Sequence, residues 1–176
     1  MTATQTEIRA LGAQELRHAF AAFPTGVTAL AALADGTPVG LAASSFTSVS
    51  LAPPLVSVCV AHSSTTWPLL RDRTRIGVSV LGAHQEDACR QLAAGDGDRF
   101  AGLDWTTTAD GAVLIEGATA WFDCSIDRIV RAGDHDIALL RVHDLDADHA
   151  VAPLVFHASR FHRLVGGPDP TDTRET

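Results

Sequence analysis

The sequence predicts a mainly β protein, built as an antiparallel barrel with a few flanking helices. Short apolar or alternating runs, which are typical of strands, outnumber helical patterns along the chain. These runs do not alternate regularly with helices, and this argues against a doubly wound parallel sheet. Turn signals at Asp35-Gly36 and Gly133-Asp134 join neighbouring runs in the manner of β-hairpins.

Length and composition predict one globular domain. The chain has 176 residues, of which 46% are hydrophobic and 19% charged. We expect residues 13–165 to form the domain, with 1–12 as a flexible arm and 166–176 as a flexible tail. A net charge of −8 argues against partners such as nucleic acid or an anionic membrane. Without a signal pattern or an apolar run of membrane-spanning length, the expected location is the cytoplasm.

The first half of the chain begins with a helix and continues with strands. Residues 13–23 carry apolar side chains three and four apart, which predicts an amphipathic helix that ends at Pro24. Apolar, β-like runs then predict strands over 27–33, 38–46 and 55–61. Pro53-Pro54 breaks the chain before the last of these.

The second half contains two more helices and the longest strands. A hydroxyl N-cap and a proline in the first turn predict a short helix over 65–73. Amphipathic spacing predicts another helix, and a Gly/Asp-rich loop with Phe100 and Trp105 follows it. The remaining predicted elements are a strand over 75–81, the helix over 84–94, strands over 118–133 and 135–147, and a last ordered segment over 153–164.

Two missing residue types restrict the chemistry. All thirteen basic residues are arginine, and the chain has no tyrosine. A pyridoxal Schiff base and a Walker-type phosphate loop both need lysine, so both are excluded. Any bound phosphate must therefore be held by arginine, hydroxyl or backbone N–H groups. Cys59, Cys89 and Cys124 are far apart in the sequence and predict buried free thiols rather than disulfides.

One long stretch is uncharged but rich in hydroxyl groups. No Asp, Glu, Lys or Arg lies between Asp35 and Arg71, yet serines and threonines recur, with a cluster over 63–66 at an apparent strand-to-helix junction. Such a stretch is also consistent with a sheet that has one half-polar face. Free N–H groups at a helix start with hydroxyls beside them would bind an anion. The combination suits a large planar ligand anchored by a phosphate.

Other motifs leave more than one interpretation open. Gly133–Asp136 is ordinary β-turn material, and a lone histidine such as His135 is more often structural than catalytic. In a hydride-transfer site, however, an imidazole can hydrogen-bond a carboxamide. His157 and His162 lack a metal-ligand spacing, and the acidic run 144–149 lacks the glycine and distal glutamate of a calcium loop. Neither a metal site nor nucleophilic hydrolysis is indicated.

Several segments, taken in order, resemble the short-chain flavin reductases. They are "FPTGVTALAAL", "GTPVGLAASSFTSVSLAPPLVSVCVAHSSTT", "GVSVL", "RFAG", "AGDHDI" and "PLVFHASRFHRL", and they span Phe20 to Leu164. The resemblance implies a split β-barrel, usually a homodimer, that holds FMN or FAD in a cleft. It further implies that NADH or NADPH reduces the flavin, which then passes to a partner monooxygenase.

The resemblance also implies site residues. Ala43, Ser44 and Ser45 match positions along the isoalloxazine edge, and Thr65 and Thr66 match the phosphate site. His135 matches the histidine associated with nicotinamide binding and hydride transfer. The other matched positions are Val60, Ala61 and Ser63 beside the ribityl chain, Ser79 on the neighbouring strand, and Phe161 at the mouth of the cleft.

The chain departs from the family pattern at several positions. Ala42 stands where threonine is usual, Ala52 replaces an aspartate, and Phe161 often has a tyrosine counterpart. Leu140 and Arg141 follow the GDH motif where glycine is common. Two alternatives therefore stay open: a flavoprotein that acts on its own organic substrate, and a non-catalytic flavin-binding protein.

Overall fold

The computed structural model describes residues 10–164. Three helices and twelve strands follow one another along this part of the chain. They are α1 (Ala13–Phe20), β1 (Thr25–Gly26), β2 (Thr28–Ala34), β3 (Thr37–Ala43), β4 (Thr47–Leu51), β5 (Pro54–Ala61), α2 (Trp67–Leu70), β6 (Ile76–Val80), α3 (Glu86–Ala93), β7 (Trp105–Thr107), β8 (Val113–Ile115), β9 (Ala120–Ala132), β10 (His135–Ala147), β11 (Leu154–His157) and β12 (Arg160–Arg163).

A seven-stranded antiparallel sheet forms most of the molecule. Its strand order is β3-β2-β6-β9-β10-β5-β4, and the long hairpin of β9 and β10 occupies its centre. A three-stranded sheet, β1-β11-β12, and the two-stranded β7-β8 hairpin complete the strand pairing. The mainly β, antiparallel prediction is confirmed. Within residues 10–164, no strand pair joins β3 to β4 into a closed barrel.

Burial on both faces explains why the strand β2 is rich in small apolar residues. Leu30 and Ala32 pack into one core cluster with residues of β5 and β10. Ala29 and Ala31 face a second cluster with residues of α3 and β8. A strand covered on both sides carries a continuous apolar run rather than an alternating one, and small side chains allow both layers to approach.

Most predicted boundaries are close to the observed ones, and β10 coincides with the predicted strand 135–147. The predicted strand 38–46 is shorter than expected, since β3 ends at Ala43. The hydroxyl-rich residues after it were not predicted as a strand, but they form the edge strand β4. The helix predicted over 65–73 is reduced to the four residues of α2.

The N-terminal helix differs from its prediction in both length and burial. It ends at Phe20 rather than Phe23, and none of its residues is buried. Phe20 and Phe23 are 70% and 74% exposed. The predicted apolar face is therefore present, but within residues 10–164 it is not buried.

Two further predictions concern the ends of the chain and membrane-spanning helices. Residues 1–9 and 165–176 lie outside the described part, so the predicted arm and tail remain predictions. In the described part, every helix is too short or too polar to cross a membrane.

Candidate functional site

A cleft of about 580 Å³ opens where β3 and β5 end. One wall is the segment after β3, and the opposite wall is the end of β5 with the loop that follows it. The C-terminal end of α3 and His135, at the start of β10, complete the rim. β3 and β5 are not neighbours in the strand order, but the hydrogen bonds between Ser45 and Cys59 join the segment after β3 to β5, so residues distant in sequence meet here.

The structure brings together eight of the eleven residues predicted for the site. They are Ala43, Ser44, Ser45, Val60, Ala61, Ser63, Thr65 and His135, and all line this cleft. Thr66 lines an adjoining cavity, Phe161 lines a smaller pocket, and Ser79 lines none of the three. Proximity supports the predicted grouping, while the role of each residue stays a prediction.

Ser79 belongs to the core rather than to the cleft. Its side chain is completely buried on β6, and its hydroxyl accepts a hydrogen bond from the Ile115 N–H at 3.0 Å. This bond links β6 to β8. The alternating pattern of a strand cannot distinguish such a buried bridging hydroxyl from one that faces a ligand.

Ser45 lines the cleft, but its hydroxyl is already engaged. It donates to the Cys59 carbonyl at 2.9 Å and accepts from the Cys59 N–H at 2.8 Å. The side chain thereby links the segment after β3 to β5, and its proton is not available to a ligand. Ser44, in contrast, is exposed at the cleft, and its hydroxyl has no hydrogen-bond partner within residues 10–164.

At the start of α2, where an anion site is predicted, the first N–H groups of the helix itself are already bonded, and the role of Thr65 and Thr66 stays a prediction. Ser64 accepts the Trp67 N–H at 3.1 Å, and the Leu69 N–H is bonded to the Thr66 carbonyl. Pro68 carries no N–H at all. This short helix start therefore offers few free donors to a phosphate.

Arg99 is the site residue that sequence reasoning missed. Its guanidinium crosses from the Gly/Asp-rich loop and donates to the Gly40 carbonyl at 3.1 Å and to the Thr66 hydroxyl at 2.5 Å. Of the residues that line the cleft, it alone carries a permanent charge. A lone arginine within "GDGDRFAG" was the available signal, but nothing in the local pattern showed that the loop folds back over β3.

A second cavity, of about 550 Å³, continues beyond Arg99. Thr65, Gly95 and Arg99 line both cavities, so the guanidinium lies at their junction. Phe100, which is almost fully buried, anchors the loop that carries this arginine. The arrangement forms an elongated groove with the Arg99 cation near its middle and the Asp98 carboxylate in its second cavity.

His135 is held by its neighbour at the rim of the cleft. Its Nδ1 lies 2.7 Å from an Asp134 carboxylate oxygen, and the histidine side chain is 43% exposed. The hydrogen bond with His135 lowers the pKa of Asp134, so the carboxylate is the acceptor and Nδ1 carries the proton. In neutral His135, Nε2 is then a free acceptor for a ligand N–H.

Hydrogen bonds join the turn at Gly133–Asp136 to the loop that follows β5. Asp136 bonds His62 Nε2 at 2.9 Å through one oxygen and accepts from Trp67 Nε1 at 3.0 Å through the other. The backbone N–H of His62 also donates to the backbone carbonyl of Asp134. The hydrogen bond with His62, followed by that from Trp67, lowers the pKa of Asp136. Stabilisation by this carboxylate is present above its unfolded pKa and is lost only as the pH falls through its lowered folded pKa.

Phe161 lies beside the cleft in a pocket of about 200 Å³. This pocket shares Ala42, Ala43 and Ser44 with the cleft, so the ring borders the segment after β3. The Arg90 guanidinium lies 4.9 Å from the centre of the Phe161 ring. The predicted position at the mouth of the site is thus supported without a role being shown.

The cysteines agree with the expectation of free thiols. Cys89 and Cys124 are buried, and burial raises the pKa of both, that of Cys124 to about 12. Cys59 is half-buried and lines the cleft. Residues 10–164 contain no cluster of side chains that could hold a metal ion.

Two departures from the family pattern lie away from the cleft. Leu140 is completely buried in the core, and Arg141 donates to Asp127 at 2.7 Å across β9 and β10. Neither residue lines the cleft. Ala42 does line it and removes a hydroxyl that a threonine would supply there.

An antiparallel β sheet with an elongated groove at its strand ends, and with Arg99 at the junction of the two cavities of that groove, defines the class of fold and site. The chain belongs to the flavin reductase like domain family, whose model matches residues 20–165. It is 35% identical over 162 residues to the reductase subunit of a flavin-dependent monooxygenase from Rhodococcus jostii, covering 92% of this chain and 82% of the relative.

Two further similarities agree with this assignment. An NADH:FAD oxidoreductase from Streptomyces globisporus, solved with NAD and FAD fragments, superimposes with a TM-score of 0.85 at 37% identity, covering 92% of this chain and all of that one. A probable flavin reductase from Rhizobium meliloti is 45% identical over 128 residues, 72% of this chain. The chain spans only 41% of that relative's length.

Proposed function

We propose that the protein is an NAD(P)H:flavin oxidoreductase that supplies reduced flavin to a partner monooxygenase. One observation carries the proposal: the groove has a fixed cation, Arg99, near its middle and an oriented imidazole, His135, at its rim. The relatives named as reductases of flavin or of a flavin-dependent monooxygenase support the same reaction.

The cleft residues fit a flavin. A planar ring fits between the small side chains of Ala43 and Ala61, and Ser44 offers an unused hydroxyl to its polar edge. Arg99 then meets the phosphate, since a guanidinium and a phosphate form charge-assisted hydrogen bonds. Thr65, at the same junction, supplies a further hydroxyl.

FAD fits the groove better than FMN. The second cavity begins at Arg99 and is nearly as large as the first. A flavin whose first phosphate lies at Arg99 therefore has space beyond it for the rest of FAD, in a cavity whose lining also includes the Asp98 carboxylate. The similar solved structure from Streptomyces globisporus belongs to an NADH:FAD oxidoreductase.

In this mechanism the bound cofactors supply hydride transfer from the nicotinamide to the flavin. The chain contributes orientation, which makes an otherwise bimolecular step effectively unimolecular. His135 Nε2 accepts a hydrogen bond from the nicotinamide carboxamide while Asp134 fixes the ring through Nδ1. Ser44 and nearby backbone N–H groups stabilise negative charge at the flavin edge, a role for which the chain has no lysine.

The finer features of the prediction belong to the same proposal. A split barrel is supported by the Ser45 link to β5, which brings the β3 side of the sheet against the β5 side. A homodimer is supported by apolar side chains left exposed, among them Leu51 at 96% and Phe23 at 74%. The mass in solution, measured by sedimentation, tests the dimer, and a monomer would contradict it.

The need for reduced nicotinamide nucleotide favours the cytoplasm, which cell fractionation can test.

The substitution His135→Ala tests the assigned role of the imidazole. We expect turnover with NADH to fall by about 10- to 100-fold, because one orienting hydrogen bond is lost. Flavin affinity should change less than twofold, since other residues hold that ligand. Steady-state NADH oxidation and flavin fluorescence titration measure the two effects. An equal loss of turnover and flavin affinity would make His135 a structural residue.

Two alternatives have distinct signatures. A flavoprotein with its own organic substrate would retain flavin through gel filtration, and NADH would fail to reduce it. A non-catalytic flavin-binding protein would also bind flavin but would turn over no substrate. The free Nε2 acceptor of His135 at the cleft rim favours the reductase over both.

A further inference from the structure

A cavity with positive charge is lined by His62, Ser64 and Trp67, in and just after the loop that follows β5. It measures about 320 Å³, and its charged lining residues are Arg71, Arg131 and Asp136. Ser64 lines both this cavity and the cleft, so the two spaces are neighbours across one loop. Nothing in the proposed flavin site uses this cavity.

The two arginines in the cavity are available to a ligand. The Arg131 side chain forms no hydrogen bond or ion pair within residues 10–164. Arg71 has a 3.9 Å contact with exposed Asp72 and a favourable charge interaction with Asp136, but no side-chain hydrogen bond within residues 10–164. The one carboxylate facing them, that of Asp136, already bonds the His62 and Trp67 side chains through its two oxygens. Two guanidinium groups face one engaged carboxylate, which leaves a net positive site in a chain of net charge −8.

The cavity is also correctly placed relative to His135. His135 and Asp136 are consecutive in β10, and because strand side chains alternate, the first lines the cleft and the second lines the cavity. A ligand whose head group contacts His135 reaches Arg71 and Arg131 by passing over the loop that contains Ser64, which lines both spaces. In a nicotinamide nucleotide, the part beyond the head group is a ribose followed by a pyrophosphate.

We propose that this cavity is the subsite for the pyrophosphate of the nicotinamide nucleotide. The assignment rests on the proposed function and deepens it. Arginine guanidinium groups match phosphate oxygens in geometry as well as in charge. The flavin phosphate at Arg99 and the nucleotide pyrophosphate at Arg71 and Arg131 then have separate cationic anchors in two neighbouring spaces.

Arg71→Ala and Arg131→Ala test the subsite, with Arg163→Ala as the matched control. Arg163 is exposed on β12 and lines neither the cleft nor this cavity. The dissociation constant for NADH is measured by its fluorescence without flavin, so turnover is not required. We expect each test variant to weaken NADH binding about tenfold and to raise the KM for NADH similarly. The kcat and the flavin dissociation constant should remain within twofold, with thermal unfolding confirming that each variant is folded.

The outcomes separate the subsite from the reductase assignment. Unchanged NADH binding in both test variants, an equal loss in Arg163→Ala, or weakened flavin binding instead would overturn the subsite. Absence of NADH binding to the unsubstituted protein would also overturn it. If both variants lose NADH affinity while the unsubstituted protein shows no flavin reduction, the subsite stands and the reductase function fails.

Discussion

Replacement of Gly77 by alanine is expected to lower the free energy of unfolding by about 3 kcal/mol or more. Gly77 lies in β6, and β8 packs directly over it. An added Cβ would overlap the Val113 carbonyl oxygen and would lie 2.7 Å from its carbon and 2.8 Å from Leu114 Cδ2. Because Val113 is completely buried, the backbone of β8 would have to move.

Gly26→Ala is the matched control for this change. Gly26 also lies in a strand, β1, but an added Cβ there meets no atom within 4 Å. We expect its free energy of unfolding to change by less than about 0.5 kcal/mol. Urea unfolding followed by tryptophan fluorescence compares the variants. Equal stability of Gly77→Ala and Gly26→Ala would show that β8 does not pack over β6 as described.

Replacement of Arg99 by alanine should weaken flavin binding about 10- to 100-fold. Among the described residues that line the cleft, Arg99 alone carries a permanent charge, and the change removes it together with the charge-assisted hydrogen bond proposed for the flavin phosphate. Riboflavin, which has no phosphate, should bind the variant almost as well as it binds the unsubstituted protein. Fluorescence titration with FAD, FMN and riboflavin measures the difference.

The riboflavin comparison separates ligand binding from structural damage. Arg99 also donates to Gly40 and Thr66, so the alanine variant could loosen the cleft itself. In that case all three flavins would lose affinity equally, which would contradict the phosphate role. Arg99→Lys, which retains the charge but not the planar fork, should recover part of the affinity for FAD.

The sequence predicted the sheet well because its strands carry their own signals. The strand β10 has clear alternation and a Gly133-Asp134 turn before it, and it was predicted with its observed bounds. The edge strand β4 escaped prediction, since its serines and threonines are mostly exposed and lack the apolar face that marks a strand. The apolar face of α1 was predicted, but among residues 10–164 it stays unburied, because amphipathic spacing alone does not show what covers a helix face.

Most of the candidate site was predictable, either from one uncharged stretch or, for His135, from the family resemblance. Ser44, Ser63 and Thr65 lie in one uncharged stretch, and the fold brings their segments together at the cleft. Arg99 reaches the same place through a loop that folds back over β3, a tertiary event with no local signal. Ser79 shows the opposite case: it was predicted for the site, but its hydroxyl is buried in the core and accepts the Ile115 N–H.

Whether a serine hydroxyl is free to bind a ligand also depends on hydrogen-bond partners that only the fold reveals. Ser45 and Ser64 have the residue type expected of a binding wall, but each bonds a backbone N–H of its own chain. The groove therefore has one cation and fewer free hydroxyls than the sequence suggested. Its specificity should depend on Arg99 more than on the serine cluster.

The central claim is that this groove brings a nicotinamide nucleotide and a flavin together for hydride transfer. The most direct test mixes the purified protein with FAD or FMN and with NADH or NADPH under air, and follows the nucleotide absorbance. The account predicts rapid oxidation of at least one nucleotide that depends on both protein and flavin, with FAD preferred to FMN. Absence of flavin-dependent oxidation in all four combinations would contradict it.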